Sequence, residues 1–266
     1  MERKLVKQGR NALTVTLPAQ WLKDKGLSAG NSVFIEEHNK NLEIFADTKT
    51  SLKEITIDFK DKNRIYGYHH LNSLYIEGYD KITILNSDID IYSYSKSFMG
   101  FTIDKEKNKK YILTNLIAKP NEDFNNLFHR ILYILNELTE SLKEKKELTI
   151  KIERRLDKNI NFALRFLNKY VHIKRSYNYF LLLSNIEFVG DQIKNLANFS
   201  IPKNQLEDLI HFIRDYINYL LKKQPDKMYL LLRQYKNKYK CDNVVNTLFF
   251  IIRETLNNYW RFHMQD

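Results

Sequence analysis

The chain has 266 residues, and 43 Lys and Arg against 32 Asp and Glu give it a formal net charge of +11. With 43% hydrophobic residues it can bury real cores in roughly one to three domains, and its single cysteine, Cys241, excludes a disulfide framework or a cysteine-built zinc site within one chain. No apolar run approaches the ~20 residues that cross a bilayer, and Met1-Glu2-Arg3-Lys4 leads into no apolar signal core. The expectation is a soluble, cytoplasmic protein without membrane insertion. So basic a balance points to a polyanion, such as nucleic acid, a membrane surface or phosphate, or else serves solubility alone.

Lys4 to Lys7 reads as a short strand, and Gln8-Gly9-Arg10-Asn11 as a turn. Leu13, Val15 and Leu17 alternate with Thr14 and Thr16, the period of a half-buried strand. Pro18 cannot continue a ladder but suits the start of a helix, here Ala19–Lys25 with Gly26 as its C-terminal cap. Ser28–Asn31 is a turn, Ser32–Glu37 a strand, His38–Asn41 a hairpin turn and Leu42–Phe45 the last strand. A unit this small buries little core alone, so two chains that interleave strands would solve its problem.

From Lys49 to Ala118 the pattern is β-α-β-α-β-β, a small α+β domain. Ile55–Phe59 and Lys81–Leu85 are strands, and Arg64–Leu74 is a helix ended by Gly78. Ser87-Asp88 opens a helix to about Phe98, and two strands flank the turn Lys105–Asn108. There is no glycine-rich phosphate loop, no catalytic-triad spacing and no histidine pair on one helix face. His69 and His70 are adjacent, point different ways and read as structural or solvent-facing.

From Lys119 to Asp266 the sequence is helical almost throughout, with breaks at Lys174–Ser176, Ser200–Pro202 and Gln224-Pro225. Six helices with short connections form an all-α bundle. Its aromatics, among them Phe162, Phe166, Tyr179, Phe180, Phe249 and Phe250, read as core. Two helices repeat one spacing: Glu153, Asp157 and Asn161, then Glu187, Asp191 and Asn195. Residues at i, i+4 and i+8 share a helix face, and like charges there repel. Each set borders an apolar stripe, Leu156, Ile160, Ala163 and Leu167 in the first and Leu182, Ile186, Val189, Ile193 and Leu196 in the second. A cation between the helices would relieve the repulsion. Iron, manganese, magnesium or calcium suits oxygen ligands better than zinc. The alternative is a set of exposed carboxylates in a chain that is 28% charged. Gly190, in mid-helix, costs about 1 kcal/mol unless a close neighbour requires it.

Two stretches resemble known families. Val6–Asn11, Leu17-Pro18-Ala19-Gln20-Trp21 and Gly26–Val33 together resemble the AbrB/MazE (SpoVT-AbrB) swapped-hairpin DNA-binding domain. The resemblance implies a homodimeric β-barrel over residues 1–48 whose DNA-facing residues are Arg3, Lys4, Lys7, Arg10 and Asn11. Lys and Arg contact phosphates, and Arg and Asn also reach base edges. Seven basic residues against five acids over Met1–Phe45 leave a modest excess, so a barrel that only dimerises stands as the alternative. Leu183-Ser184-Asn185-Ile186-Glu187-Phe188-Val189-Gly190-Asp191 through Ala197 is similar to the signature of PhoU-type phosphate-uptake regulators, and Glu153–Asp157 to that family's other acidic repeat. This implies a PhoU-like bundle over residues 119–266, with Glu153, Asp157, Glu187 and Asp191 holding a divalent or ferric ion: iron, manganese, magnesium or zinc. The helices after Pro202 carry no second Glu-x-x-x-Asp pair, so one chain offers at most half of that family's metal sites.

The head, the α+β linker at 49–118 and the bundle together resemble archaeal PhoU-related regulators. The expected function is a DNA-binding transcriptional regulator of phosphate uptake, dimeric, whose helical part senses a state or docks a phosphate-transporter component. The alternative is a modulator of such a transporter that does not touch DNA. Enzymatic activity is not expected, because the acidic helices carry neither ligating histidines nor a nucleophile.

Overall fold

The computed structural model describes residues 2–10, 12–38, 41–46, 52–117, 123–170, 176–235 and 243–263, and the chain divides into two compact units, Met1–Ser51 and Leu52–Asp266. The fold is mixed α+β, with small sheets followed by a helical C-terminal region. The α+β segment and the helices share one continuous core that runs from Phe59 to Leu256. The expected boundary near residue 118 therefore marks a change of secondary structure within one packed body.

In the first unit β1 (Val6–Gln8) pairs antiparallel with β2 (Ala12–Thr14), and Gly9 turns the chain at φ +72°. Helix α1 (Ala19–Asp24) follows Pro18, whose carbonyl accepts the Leu22 N–H at 3.0 Å. Gly26 then reverses the chain at φ +63°, a value that suits a residue without Cβ. A second antiparallel pair, β3 (Val33–His38) and β4 (Asn41–Ala46), completes the unit. Among the described residues these are two separate two-stranded sheets, so a single chain closes no barrel. Of the unit's side chains that are described, only Ala46 is buried.

The second unit opens with a four-stranded sheet in the order β5-β6-β8-β7. Strands β5 (Glu54–Asp58) and β6 (Lys81–Leu85) are parallel and joined by helix α2 (Arg64–Ile76). The other pairs, β6 with β8 (Lys110–Asn115) and β7 (Phe101–Glu106) with β8, are antiparallel. Alternation buries Ile82, Ile84, Tyr111 and Leu113 beneath Leu71, Leu74 and Tyr75 of α2. Asn63 caps α2 by accepting the Tyr66 N–H at 2.9 Å.

The helix expected from Ser87 to Phe98 is instead one short 3₁₀ turn, Ile91–Tyr94. Its polar side chains bond their own backbone: Asp90 accepts the Tyr92 N–H at 3.2 Å, Ser93 Oγ donates to the Asp90 carbonyl at 2.7 Å, and Ser87 Oγ accepts the Ile89 N–H at 3.2 Å. Such local bonds compete with the helical ladder.

Helices α3 (Phe124–Glu140), α4 (Lys146–Tyr170) and α5 (Ser176–Leu196) pack on one another, α6 (Lys203–Leu221) lies on α3, α8 (Val244–His263) on α5, and α7 (Pro225–Tyr235) touches α6 and α8. Both apolar stripes read from the sequence are buried. Phe162, Phe166 and Phe249 lie in the core, whereas Phe180 and Phe250 reach the surface. A Cβ on Gly190 would sit 2.7 Å from Leu156 Cδ2, so the mid-helix glycine answers to the close approach of α4.

Helix α4 is also covered by α2, and every residue from Asn159 to Leu167 is buried. At its C-terminal end Arg165 donates to the Tyr75 and Tyr79 carbonyls at 2.7 and 2.8 Å, and its guanidinium lies 3.3 Å from Asp80. Lys169 also pairs with Asp80. Asn115 Nδ2 and the Lys53 N–H donate to the same carboxylate at 3.0 and 3.1 Å. Burial works to raise the Asp80 pKa, but the bonds from Lys169, Asn115 and Lys53 hold it below the usual range. The carboxylate therefore stabilises the fold above pH 3.8 and ceases to as the pH falls below that value. Asp80→Asn, which leaves Arg165 and Lys169 buried without a counter-charge, is expected to lower stability by about 3–5 kcal/mol at neutral pH in urea denaturation. Unchanged stability would show that backbone carbonyls alone satisfy the two cations.

Candidate functional site

The facing sides of α4 and α5 bring four carboxylates together. Glu153 and Asp157 lie one turn apart on α4, and Glu187 and Asp191 one turn apart on α5. Glu153 is 3% exposed, an unusual place for a carboxylate unless it is paired. Its partner is Lys194 of α5, whose ammonium also bonds Asp191 Oδ1 at 2.7 Å. Lys194 thus bridges the two helices. The arginines beside Glu153 do not serve it: Arg154 is exposed, and Arg155 pairs with Glu137 on α3.

Asp157 Oδ1 is buried and accepts no hydrogen bond. Burial first, and then the charges of Glu153, Glu187 and Asp191, push its carboxyl up to about 8. Glu187 is raised by burial, Asp191 and Glu153. Burial works to lower Lys194, but its bonds to Asp191 and Glu153 raise it on balance, and it stays an ammonium.

A third wall comes from α2. Asn72 Nδ2 donates to Asn161 Oδ1 at 3.3 Å, which ties the Glu153–Asp157–Asn161 face to this helix. One turn earlier on α2, Tyr68 feels the same carboxylates: burial, Asp157, Glu187 and Glu153 all raise its hydroxyl. The corresponding asparagine on α5 does not join: Asn195 is exposed, and its carbonyl accepts Asn198 Nδ2 at 3.0 Å. The spacing Glu187-x-x-x-Asp191-x-x-Lys194 carried the signal for Lys194, because i+7 returns to the face of i. Nothing in the local sequence marks Tyr68 or Asn72.

The second candidate region is the β1–β2 hairpin. Arg3, Lys4, Lys7 and Arg10 are all exposed there, and Asn11 lies outside the described residues. Arg3 and Lys4 precede β1, Lys7 lies within it and Arg10 in the turn. Lys7 stands opposite Leu13, so the two share a face, while Val6–Thr14 and Gln8–Ala12 share the other.

The carboxylate donors fit a hard cation in kind, and Asp157 Oδ1 lies among them without a hydrogen-bond partner. In this arrangement Lys194 supplies the cation. Among the described residues no three His, Cys, Asp or Glu side chains converge on a common metal position. Among them, too, no helix is long and apolar enough to cross a membrane. No family model, curated protein or solved structure matches the chain.

The groups around Asp157 fix a pH dependence. Facing it are Glu153, Glu187, Asp191, Lys194 and Tyr68. Its carboxyl holds a proton in the folded state up to about pH 8, but ionises near 3.8 once exposed. Folding therefore binds a proton between these values, and stability falls as pH rises through them. Asp157→Asn is expected to flatten the slope between pH 5 and 8 (Glu187 retaining a share of the same sign) and to raise stability above about pH 8. Chemical denaturation at several pH values measures both; a slope identical in the variant would place the titration elsewhere.

Proposed function

We propose that the chain is one subunit of a homodimeric, DNA-binding regulator of phosphate uptake, with residues 1–48 as the DNA-binding and dimerising head. The observation that carries this reading is the unburied apolar surface of that head. Leu5, Leu13 and Leu42 are 64%, 62% and 67% exposed, and Val6, Val15 and Ile35 are exposed with them. A unit of this size cannot bury such residues within one chain. A second copy of the same hairpins would cover them and close the barrel that a single chain leaves open. It would also present Arg3, Lys4, Lys7 and Arg10 twice, as a two-fold operator requires. Lys7 can lay its stem along the face of Leu13 and keep its ammonium outside.

The resemblance to PhoU-type regulators supports the reading of the body. Glu153, Asp157, Glu187 and Asp191 would hold a hard metal ion, whose charge would neutralise carboxylates that otherwise repel. Asn161, Asn72 and Tyr68 would carry that change toward the sheet. The body would report this state to the head or to a phosphate-transporter component.

Two measurements test the head. Wild-type protein is expected to sediment as a dimer and Leu13→Asp as a monomer. Duplex DNA should bind at 50 mM salt and weaken steeply by 200 mM, as counterion release requires. Lys7→Ala with Arg10→Ala should reduce affinity by about ten-fold or more, ~1.4 kcal/mol, and flatten the salt slope by ~0.9 for each phosphate that is no longer neutralised. Absence of binding at low salt, in a protein that still dimerises, would falsify the DNA-binding reading and favour docking on a transporter protein alone.

A further inference from the structure

Four carboxylates face one another across α4 and α5, and one ammonium stands among them. Lys194 bonds Glu153 on one helix and Asp191 on the other, and so bridges them. It is also tethered where it can leave. Its side chain is 31% exposed, that of Asp191 is 46% exposed, and Lys194 lies in the last turn of α5, which ends at Leu196. Four methylenes let the ammonium swing to water without moving the backbone. Glu153 has no such freedom, since it is 3% exposed and α4 is packed around it. The cluster is also undersupplied: one lysine serves two of the four acids, and Asp157 Oδ1 keeps no partner.

We propose that Lys194 is a built-in competitor for the metal, a tethered cation that a divalent ion must displace before it can bridge α4 and α5. This rests on the reading of these acids as a metal site and assigns a role to a residue that reading does not use. The exchange is of like for like in position but not in charge. An ammonium gives one positive charge and three donors, whereas a divalent ion gives two charges and accepts six or more oxygens. Incoming metal would take up Glu153 Oε1 and Asp191 Oδ1 as the lysine releases them, and would add Asp157. The apo cluster thus stays folded, and metal affinity is set by what it costs to evict the lysine. This accounts for the acids being arranged about Lys194 instead of about a common metal position.

The test uses the full chain and Mn²⁺ as the probe, with free ion counted by electron paramagnetic resonance and stability followed by thermal melting. Lys194→Gln is expected to bind Mn²⁺ at least about ten-fold tighter than wild type. Without metal the variant should melt below wild type, since Glu153 loses its partner, and Mn²⁺ should restore it. Where that variant does not fold without metal, trimethylamine N-oxide, which favours the compact state, keeps it folded for the titration. It should still bind Mn²⁺ more tightly than wild type. Equal or weaker binding in the folded variant overturns the proposal while the metal site stands. A melting loss that Mn²⁺ does not repair makes Lys194 a structural ion pair and overturns it too. No Mn²⁺ binding by any folded form overturns the metal site, and the proposal with it.

Discussion

The distance between α4 and α5 is the constraint on which the rest of the body depends. The two helices come close at Gly190, where an added Cβ would lie 2.7 Å from Leu156 Cδ2 and the leucine tip would have to shift. At that separation the apolar stripes interlock, with Leu156, Ile160, Ile186 and Val189 all fully buried. The acids that border the stripes are then carried inward with them. Glu153 and Asp157 are close to the core on a helix that cannot rotate away, and Glu187 and Asp191 approach from the other side. Close packing thus brings the acids together, and Lys194 and the raised carboxyls of Asp157 and Glu187 answer their repulsion.

Helix α4 meets that requirement differently at its two ends. Near Arg165 the chain supplies two cations for Asp80, and two carbonyls at the end of α2 take up the surplus donors. Each of the named groups there has a partner, and nothing in the arrangement asks for a further ligand. Near Glu153 the balance is reversed. Four carboxylates share Lys194, and Asp157 retains a buried oxygen without a donor. A buried polar atom without a partner costs about 1–3 kcal/mol, and such a cost persists where something other than stability maintains it. The first cluster therefore fastens α4 to the sheet, while the second keeps a buried oxygen of Asp157 unsatisfied.

Much of this is legible in the sequence because it depends on periodicity. The stripes of α4 and α5, the two acidic faces and the need for a close neighbour at Gly190 all follow from 3.6-residue spacing. The structure departs from expectation where side chains act on tertiary or very local partners. Ser87, Asp90 and Ser93 bond their own backbone and dissolve an expected helix into a single 3₁₀ turn. Asn195 fits the spacing, but it sits where α5 is ending and faces solvent. Lys194 lies within reach of the same periodicity, but a match to acids alone passes over a cation on their face. Tyr68 and Asn72 come from a helix about ninety residues earlier (the Asn72–Asn161 separation is 89), and no local pattern announces their approach.

The two units differ in how much apolar surface they bury. The body buries a continuous core from Phe59 to Leu256. The head leaves its hairpin leucines and valines in water and cannot be stable on the same terms. On the proposed reading the head lacks apolar cover, which a second copy of itself would supply in kind, and the acidic cluster of the body would take up an ion. An apolar deficit is met by association, while a charge deficit is met by binding and responds to the ion's concentration. On the proposed reading one chain would carry an assembly surface in its head and an ion-dependent site in its body, as a regulator that is always paired but only sometimes engaged requires.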